Sequence, residues 1–243
     1  MTRELKKDLE KLKIFVQNYE IASLLGQEHY SNSLKNAHGS YFSLLTLWAE
    51  IKHRCGSNGI ALHGTKIEKG STAELLIQEA VSDFGSSLFC CLQGAYKPGS
   101  MVLRSAIENY VRAIAGVFSE KAGATTSVYE LFDLAKKTPP FSSIDGKSSL
   151  SKLHLSYKEL CKHTHTASLD KMASIMSLDH FPTADADLFK SWAKEAKSVA
   201  SAIISSFLTS TDSLYVTSHF RNKDIFDIHL SSQQRLRLIG GGA

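Results

Sequence analysis

The chain has 243 residues, which suits one large domain or two small ones, and either could bury a substantial apolar core. Apolar residues make up 43% and charged residues 21%, ordinary values for a soluble globular protein. The net charge of +4 is compatible with nucleic acid binding but too small to indicate it alone. No apolar run reaches the roughly 18 to 20 residues that a membrane span needs.

The four cysteines indicate free thiols. No Cys-x-x-Cys spacing is present, and the neighbours Cys90 and Cys91 cannot readily bridge each other on one helix. The charged, amphipathic N-terminus lacks the apolar centre of a signal peptide. We therefore expect reduced cysteines in a cytoplasmic protein without a membrane partner.

The first part of the chain predicts helices followed by a loop. Apolar spacing predicts a helix over residues 2–20, and residues 21–40 predict a weaker helix or a connection. Residues 41–52 are strongly apolar and too long for most strands, so we interpret them as a buried helix. The glycines of residues 55–70 predict a loop with a short strand at 60–62.

The central part predicts two long helices packed as a hairpin. Ser71 and Glu74 form a capping-box pattern at the start of a helix over about 71–93, which Gly94 ends. The next helix occupies the stretch 97–120 and carries one wide apolar stripe. Because the connection is short, we expect the two helices to be antiparallel.

A ladder of charges follows one flank of that stripe, with Arg104, Glu108 and Arg112 at intervals of four residues. Long charged side chains beside a buried face need partners, so we expect another element to pack against them. The ordinary interpretation is an ion pair that orients the bundle. The alternative is a supporting role at a functional cleft.

The second half predicts two further long helices. A capping box at Ser127 starts a helix that stops before a proline pair, and residues 139–149 predict a polar loop. Helical spacing then covers residues 147–163 and about 183–210, and residues 211–243 form a tail. We find no repeat and no convincing series of strands, so the predicted fold class is all-α.

One stretch carries residues that suit phosphodiester chemistry. On a helix, Tyr157, Cys161 and His165 lie four residues apart on one face, and Lys158 and Lys162 form the neighbouring row. Lysines can hold phosphate oxygens, and a histidine near its working pKa can move protons. The structural alternative is a core face, a solvated edge and a histidine at a helix C-terminus.

The sequence does not predict a metal site. Its ten histidines are scattered, and the pair His163 and His165 has no cysteine or carboxylate at typical ligand spacing. The common nucleotide-binding, zinc-protease and serine-hydrolase motifs are absent from the sequence.

Three features together resemble the HEPN superfamily, in particular abortive-infection-type and uncharacterised prokaryotic members. They are a proline-containing turn, a Leu-Arg-x-x-x-Glu motif ending at Glu108, and a Tyr-x-x-Leu-x-x-x-x-His motif ending at His165. The resemblance implies an up-and-down helical bundle over residues 71–210. Residues 1–70 would then be an extra N-terminal helical segment with the glycine-rich loop, and residues 211–243 a C-terminal tail.

The resemblance also implies a function. Many HEPN proteins are homodimeric, metal-independent endoribonucleases of anti-phage or toxin–antitoxin systems, without a cofactor. Carried over to this chain, this implies RNA or a protein of such a system as partner. The implied catalytic residues are His165, Lys158, Glu108 and Arg104. The implied substrate-binding residues are Lys162, His163, Tyr157 and Arg112.

The chain departs from the HEPN motif, in which an arginine precedes the catalytic histidine by four to six intervening residues. At the corresponding positions before His165 stand Lys158, Glu159 and Leu160. A non-catalytic interaction or regulatory module is therefore the alternative function. A third possibility is a bundle that binds a small molecule, with the 55–70 loop as its lid.

Overall fold

The structure of the protein is a computed structural model that describes residues 2–16, 20–164, 185–211 and 213–240. It is an all-α helical bundle, so the predicted fold class is confirmed. In chain order its elements are α1 (Arg3–Val16), a 3₁₀ segment (Glu20–Gly26), α2 (Glu28–Ser57), β1 (Ile60–Leu62), β2 (Thr65–Ile67), α3 (Thr72–Leu92), α4 (Tyr96–Gly116), α5 (Glu120–Ala124), α6 (Val128–Ala135), α7 (Pro139–Ser142), α8 (Ile144–Thr164), α9 (Ala186–Ser210), α10 (Leu214–Thr217), α11 (Phe220–Phe226), a 3₁₀ segment (Asp227–His229) and α12 (Ser232–Ile239).

The five long helices form a closed ring around the core. Helix α2 packs against α3, α3 against α4, α4 against α8, α8 against α9, and α9 returns to α2. One cluster of buried apolar side chains runs from Leu24 to Leu230 and draws on every helix of the ring. The ring closes through pairs that are far apart in the chain.

Helices α3 and α4 form the predicted antiparallel hairpin. The Ser87 hydroxyl donates to the Gly99 carbonyl (2.6 Å), and the Asn109 amide donates to the Asp83 carboxylate (2.9 Å). Ser71 caps α3 by accepting from the Glu74 backbone N–H, as the capping-box pattern predicts.

The apolar stripe of α4 is in the core, as its spacing predicts. Six of its members are at most 1% exposed: Leu103, Ala106, Ile107, Tyr110, Val111 and Ile114. The Tyr110 hydroxyl hydrogen-bonds the Ser206 hydroxyl of α9 across the ring (2.5 Å). This burial fixes the direction in which the charged flank of α4 faces.

The predicted strand at 60–62 is present and pairs with β2 as an antiparallel hairpin. His63 and Gly64 form its turn, and both have positive φ (45° and 81°), as the type I′ hairpin turn requires. The side chains of Ile60, Leu62 and Ile67 are buried, and Leu62 also bridges Thr211 after α9. The glycine-rich segment is therefore fixed to the core along this hairpin.

Two predictions on local structure were wrong. Residues 28–57 form one continuous helix, so the predicted division between a weaker helix or connection over 21–40 and a separate buried helix over 41–52 was wrong. The polar loop predicted for residues 139–149 is instead formed by α7 and the start of α8, and only Ser143 separates these two helices. The Ser143 hydroxyl accepts from the Gly146 N–H, and Phe141 is fully buried, which holds this turn against the core.

The C-terminal tail folds onto the ring. Asn222 donates to Glu50 of α2 (2.6 Å), and Gln234 donates to Ser205 of α9 (2.7 Å). Phe226 is fully buried. The predicted start of the last long helix at residues 182–183 lies outside the described residues, and α9 begins at Ala186 with Asp185 as its cap.

Among the described residues, one helix, α3, is long and apolar enough to cross a membrane by length and composition. The sequence reading expected no such run. In the structure the apolar side chains of Ile77, Phe84 and Leu88 are buried in the core. A core helix of a soluble protein meets the same criterion, so this helix is weak support for a membrane span.

Candidate functional site

The charged flank of α4 faces α8. The Nε of Arg104 lies 3.6 Å from Oε1 of Glu108, and these side chains are 24% and 25% exposed. This separation suits an ion pair but is too long for a good hydrogen bond. The buried Nε consequently has no hydrogen-bond partner within the described part of the chain. The pair therefore lies at the edge of the core, within reach of solvent.

Tyr157 and Cys161 of α8 complete the contact. The guanidinium carbon of Arg104 is 5.7 Å from the centre of the Tyr157 ring, and an Nη atom is 3.9 Å from the Cys161 sulfur. Burial, and then the negative charge of Glu108, raise the pKa of Tyr157. The phenol therefore stays protonated at neutral pH and can donate a hydrogen bond. We call these four residues, Arg104, Glu108, Tyr157 and Cys161, the α4–α8 cluster.

The two lysines of the neighbouring row differ. Lys162 donates to the Glu159 carboxylate at 2.5 Å, and this bond raises the pKa of Lys162. Its charge is therefore balanced nearby. Lys158 is exposed, and no carboxylate of the described residues lies within ion-pair distance of it. Lys158 is accordingly the lysine of this row with the less compensated charge.

Arg112 has contacts of a different kind. Its guanidinium donates to the backbone carbonyls of Ala122 and Gly123, at 3.5 and 3.2 Å, and to that of Thr125. These carbonyls belong to the end of α5, so Arg112 fastens α5 to α4. This contact does not involve the other predicted site residues.

The two remaining predicted residues are His163 and His165. His163 lies in the last turn of α8, and His165 is outside the described residues. Their predicted roles stay predictions.

His154 was missed by the sequence analysis, and it lies one turn before Lys158 on α8. Its ring stacks on the buried Phe132 ring, with centroids 4.5 Å apart and planes inclined by 23°. Burial, and then the positive charge of Lys158, lower the pKa of His154. The imidazole is therefore neutral at neutral pH and can accept a proton. Its spacing of four residues from Lys158 was the signal available in the sequence.

The arrangement along α4 and α8 can bind and transfer protons. Arg104 and Lys158 offer positive charge to an anion, His154 offers a proton acceptor, and Tyr157 offers a hydrogen-bond donor. Phe132 links the two parts of the site, because its ring also packs against the Tyr157 ring, with centroids 5.9 Å apart. We call the strip that holds the α4–α8 cluster, His154 and Lys158 the α4–α8 seam.

Metal-ligand geometry is absent from the described residues, which contain no group of three or more His, Cys, Asp or Glu placed to hold an ion. The four cysteines are free thiols, as predicted, and Cys55 and Cys91 are buried.

Comparison of the chain with protein-family models, curated proteins and solved structures gave no match.

Proposed function

We propose that this protein is a HEPN-like, metal-independent endoribonuclease of a prokaryotic anti-phage or toxin–antitoxin system, acting as a cytoplasmic homodimer. The observation that supports this best is the α4–α8 seam. The neutral imidazole of His154 and Lys158, which has no ion pair within the described part of the chain, lie one helical turn apart on α8, and the neighbouring Tyr157 contacts Arg104. Phosphodiester cleavage without a metal needs a proton acceptor and positive charge of this kind.

The proposed reaction is attack of the ribose 2′-hydroxyl on the neighbouring phosphorus. A histidine takes the proton of the 2′-hydroxyl, the new O–P bond forms, and the bond from phosphorus to the 5′-oxygen breaks. A protonated group then supplies a proton to that leaving oxygen. The products are a 2′,3′-cyclic phosphate and a 5′-hydroxyl.

The residues of the seam fit these steps in specific roles. His154 accepts the first proton, because its lowered pKa keeps it neutral. Lys158 balances the charge on the non-bridging phosphate oxygens. Arg104, paired with Glu108 at 3.6 Å, supplies positive charge on the α4 side of the seam. His165 is proposed, from the sequence alone, as the second acid/base group.

The experiment is a cleavage assay on end-labelled RNA with excess chelator. We expect products with cyclic phosphate ends, and rates about 10² to 10⁴ times lower for His154→Ala and for His165→Ala, the range for a lost acid/base group. His53→Ala, at an exposed position of α2, is the control and should cleave like the wild type. Rates unchanged in both histidine variants would refute these roles.

The second candidate function is a non-catalytic module of the same kind of system. It is favoured by the intramolecular contacts of Arg112 and Lys162, which use up two predicted substrate-binding cations. Under this alternative the protein cleaves no RNA under any condition and acts through a partner.

The tail offers a direct test of the alternative. Deleting residues 219–243 would expose core around the buried Phe226 and confuse binding with unfolding. Phe220 and Leu236 are 63% and 71% exposed, so Phe220→Ser with Leu236→Ser changes the surface and leaves the core intact. A partner that uses the tail should be lost in this variant and retained by Leu155→Ser, an exposed position on α8.

A further inference from the structure

A groove of about 600 Å³ lies between the N-terminal parts of α2 and α9. Its α9 wall carries Lys190, Lys194 and Lys197, which are all exposed. Their spacing of four and three residues places them on one helix face, over a span of about 10 Å at 1.5 Å per residue. None of these three lysines belongs to the α4–α8 seam.

The residues of α2 that line the groove are polar and include no lysine, arginine or carboxylate. This α2 wall carries His29, Asn32 and Asn36, again on one helix face and exposed. Ser33 lies between them, but its hydroxyl donates to the His29 carbonyl (2.9 Å) and is occupied. Each asparagine amide offers both donors and an acceptor to a ligand.

The positive charge of the groove is poorly compensated. Within the described ranges no carboxylate lies within ion-pair distance of the three lysines, and Asp187 is the one acidic side chain lining the groove. Neighbouring lysines on one helix face repel one another. A concave surface with one sign of charge focuses the potential, which favours an anion.

We propose that this groove binds the phosphate groups of a nucleotide ligand. The three lysines hold the phosphates, since their span fits two or three of them, and the α2 amides bind the sugar or a base edge. The volume lies within the usual range of small-molecule sites, about 300 to 1,000 Å³. Binding here is separate from the proposed function and does not require cleavage.

The same chemistry is offered by a free nucleotide and by a strand of RNA, so the experiment uses both. Binding of ATP, of tripolyphosphate and of a ten-nucleotide 2′-O-methyl RNA is measured by calorimetry at two salt concentrations. The methylated RNA has no attacking hydroxyl, so binding is measured without cleavage. Failure of this test and failure of the nuclease proposal are therefore distinguishable.

Two variants with equal charge change are compared. The first combines Lys190→Gln, Lys194→Gln and Lys197→Gln in the groove. The second replaces three exposed lysines outside the groove and combines Lys52→Gln, Lys66→Gln and Lys69→Gln. We expect the groove variant to lose affinity at least about tenfold and the control to bind like the wild type.

A third variant, Asn32→Asp with Asn36→Asp, places carboxylates on the opposite wall and should also weaken binding. If the RNA binds more tightly than ATP, the groove is assigned to an RNA strand. The logarithm of its binding constant should then fall with the logarithm of the salt concentration with a slope of about −2, the value for three phosphate contacts. Tighter binding of ATP assigns it to a free nucleotide. The proposal is overturned if none of the three ligands binds, or if the groove and control variants bind alike.

Discussion

Ser87 joins three helices of the ring through one hydroxyl group. Its Oγ donates to the Gly99 carbonyl of α4 at 2.6 Å and accepts from the Trp192 indole N–H of α9 at 2.9 Å. Ser87 is fully buried and Trp192 is 3% exposed. Ser87→Ala therefore removes both hydrogen bonds and leaves the indole N–H buried without an acceptor.

The expected cost follows from these contacts. Each lost hydrogen bond contributes about 1 kcal/mol, and the orphaned indole N–H adds about 1 to 3 kcal/mol of uncompensated desolvation. The Gly99 carbonyl is in a helix interior and keeps its helical hydrogen bond, so it adds little. Because the buried contributions are not fully additive, we expect Ser87→Ala to lower the free energy of unfolding by about 2 to 4 kcal/mol.

Urea unfolding followed by tryptophan fluorescence measures this change. The control is Ser86→Ala, the neighbouring serine on α3, which is exposed and should change stability by less than about 0.5 kcal/mol. The reasoning is refuted if the two variants unfold at the same urea concentration with the same slope.

Two further predictions concern packing and pH. A Cβ at Gly146 would overlap the Pro140 carbonyl. Gly146→Ala should therefore lower the free energy of unfolding by at least about 2 kcal/mol in the same assay. The control is Gly56→Ala, which has open space around it and should be neutral or stabilising. Burial holds the pKa of His229 at about 4, below the ordinary 6.5, so unfolding takes up a proton as the pH falls through this window. The free energy of unfolding should therefore be about 1 to 3 kcal/mol lower at pH 4 than at pH 6.5. Urea titrations at both pH values measure this difference. His229→Gln should reduce it, and the control His53→Gln, at an exposed position, should not.

The parts of the fold that local physics decides were predictable from the sequence. The α3–α4 hairpin follows from apolar spacing, a serine cap and a glycine with positive φ at residue 94. The segment 139–149 was not predictable in this way. Its polar composition favours a loop, and the burial of Phe141 against the core overrides that preference.

The candidate site was predictable only where one helix carries its own signal. The charged ladder of α4 predicted a packed partner, and Tyr157 of α8 is in that contact. His154 escaped notice because its lowered pKa depends on burial and on Phe132 of α6. The groove between α2 and α9 depends on pairing Asn32 with Lys190, and no local spacing encodes a contact so distant in the chain.

The most direct test of the proposed α4–α8 site is the rate at which Lys158→Ala cleaves RNA in chelator, relative to the wild type and to Lys152→Ala. Both lysines are exposed on α8, but the pKa of His154 is lowered by burial and then by the charge of Lys158, and not by that of Lys152. We predict a rate at least about tenfold lower for Lys158→Ala and an unchanged rate for Lys152→Ala. Equal rates for the two variants, or no cleavage by the wild type, would contradict the proposed site.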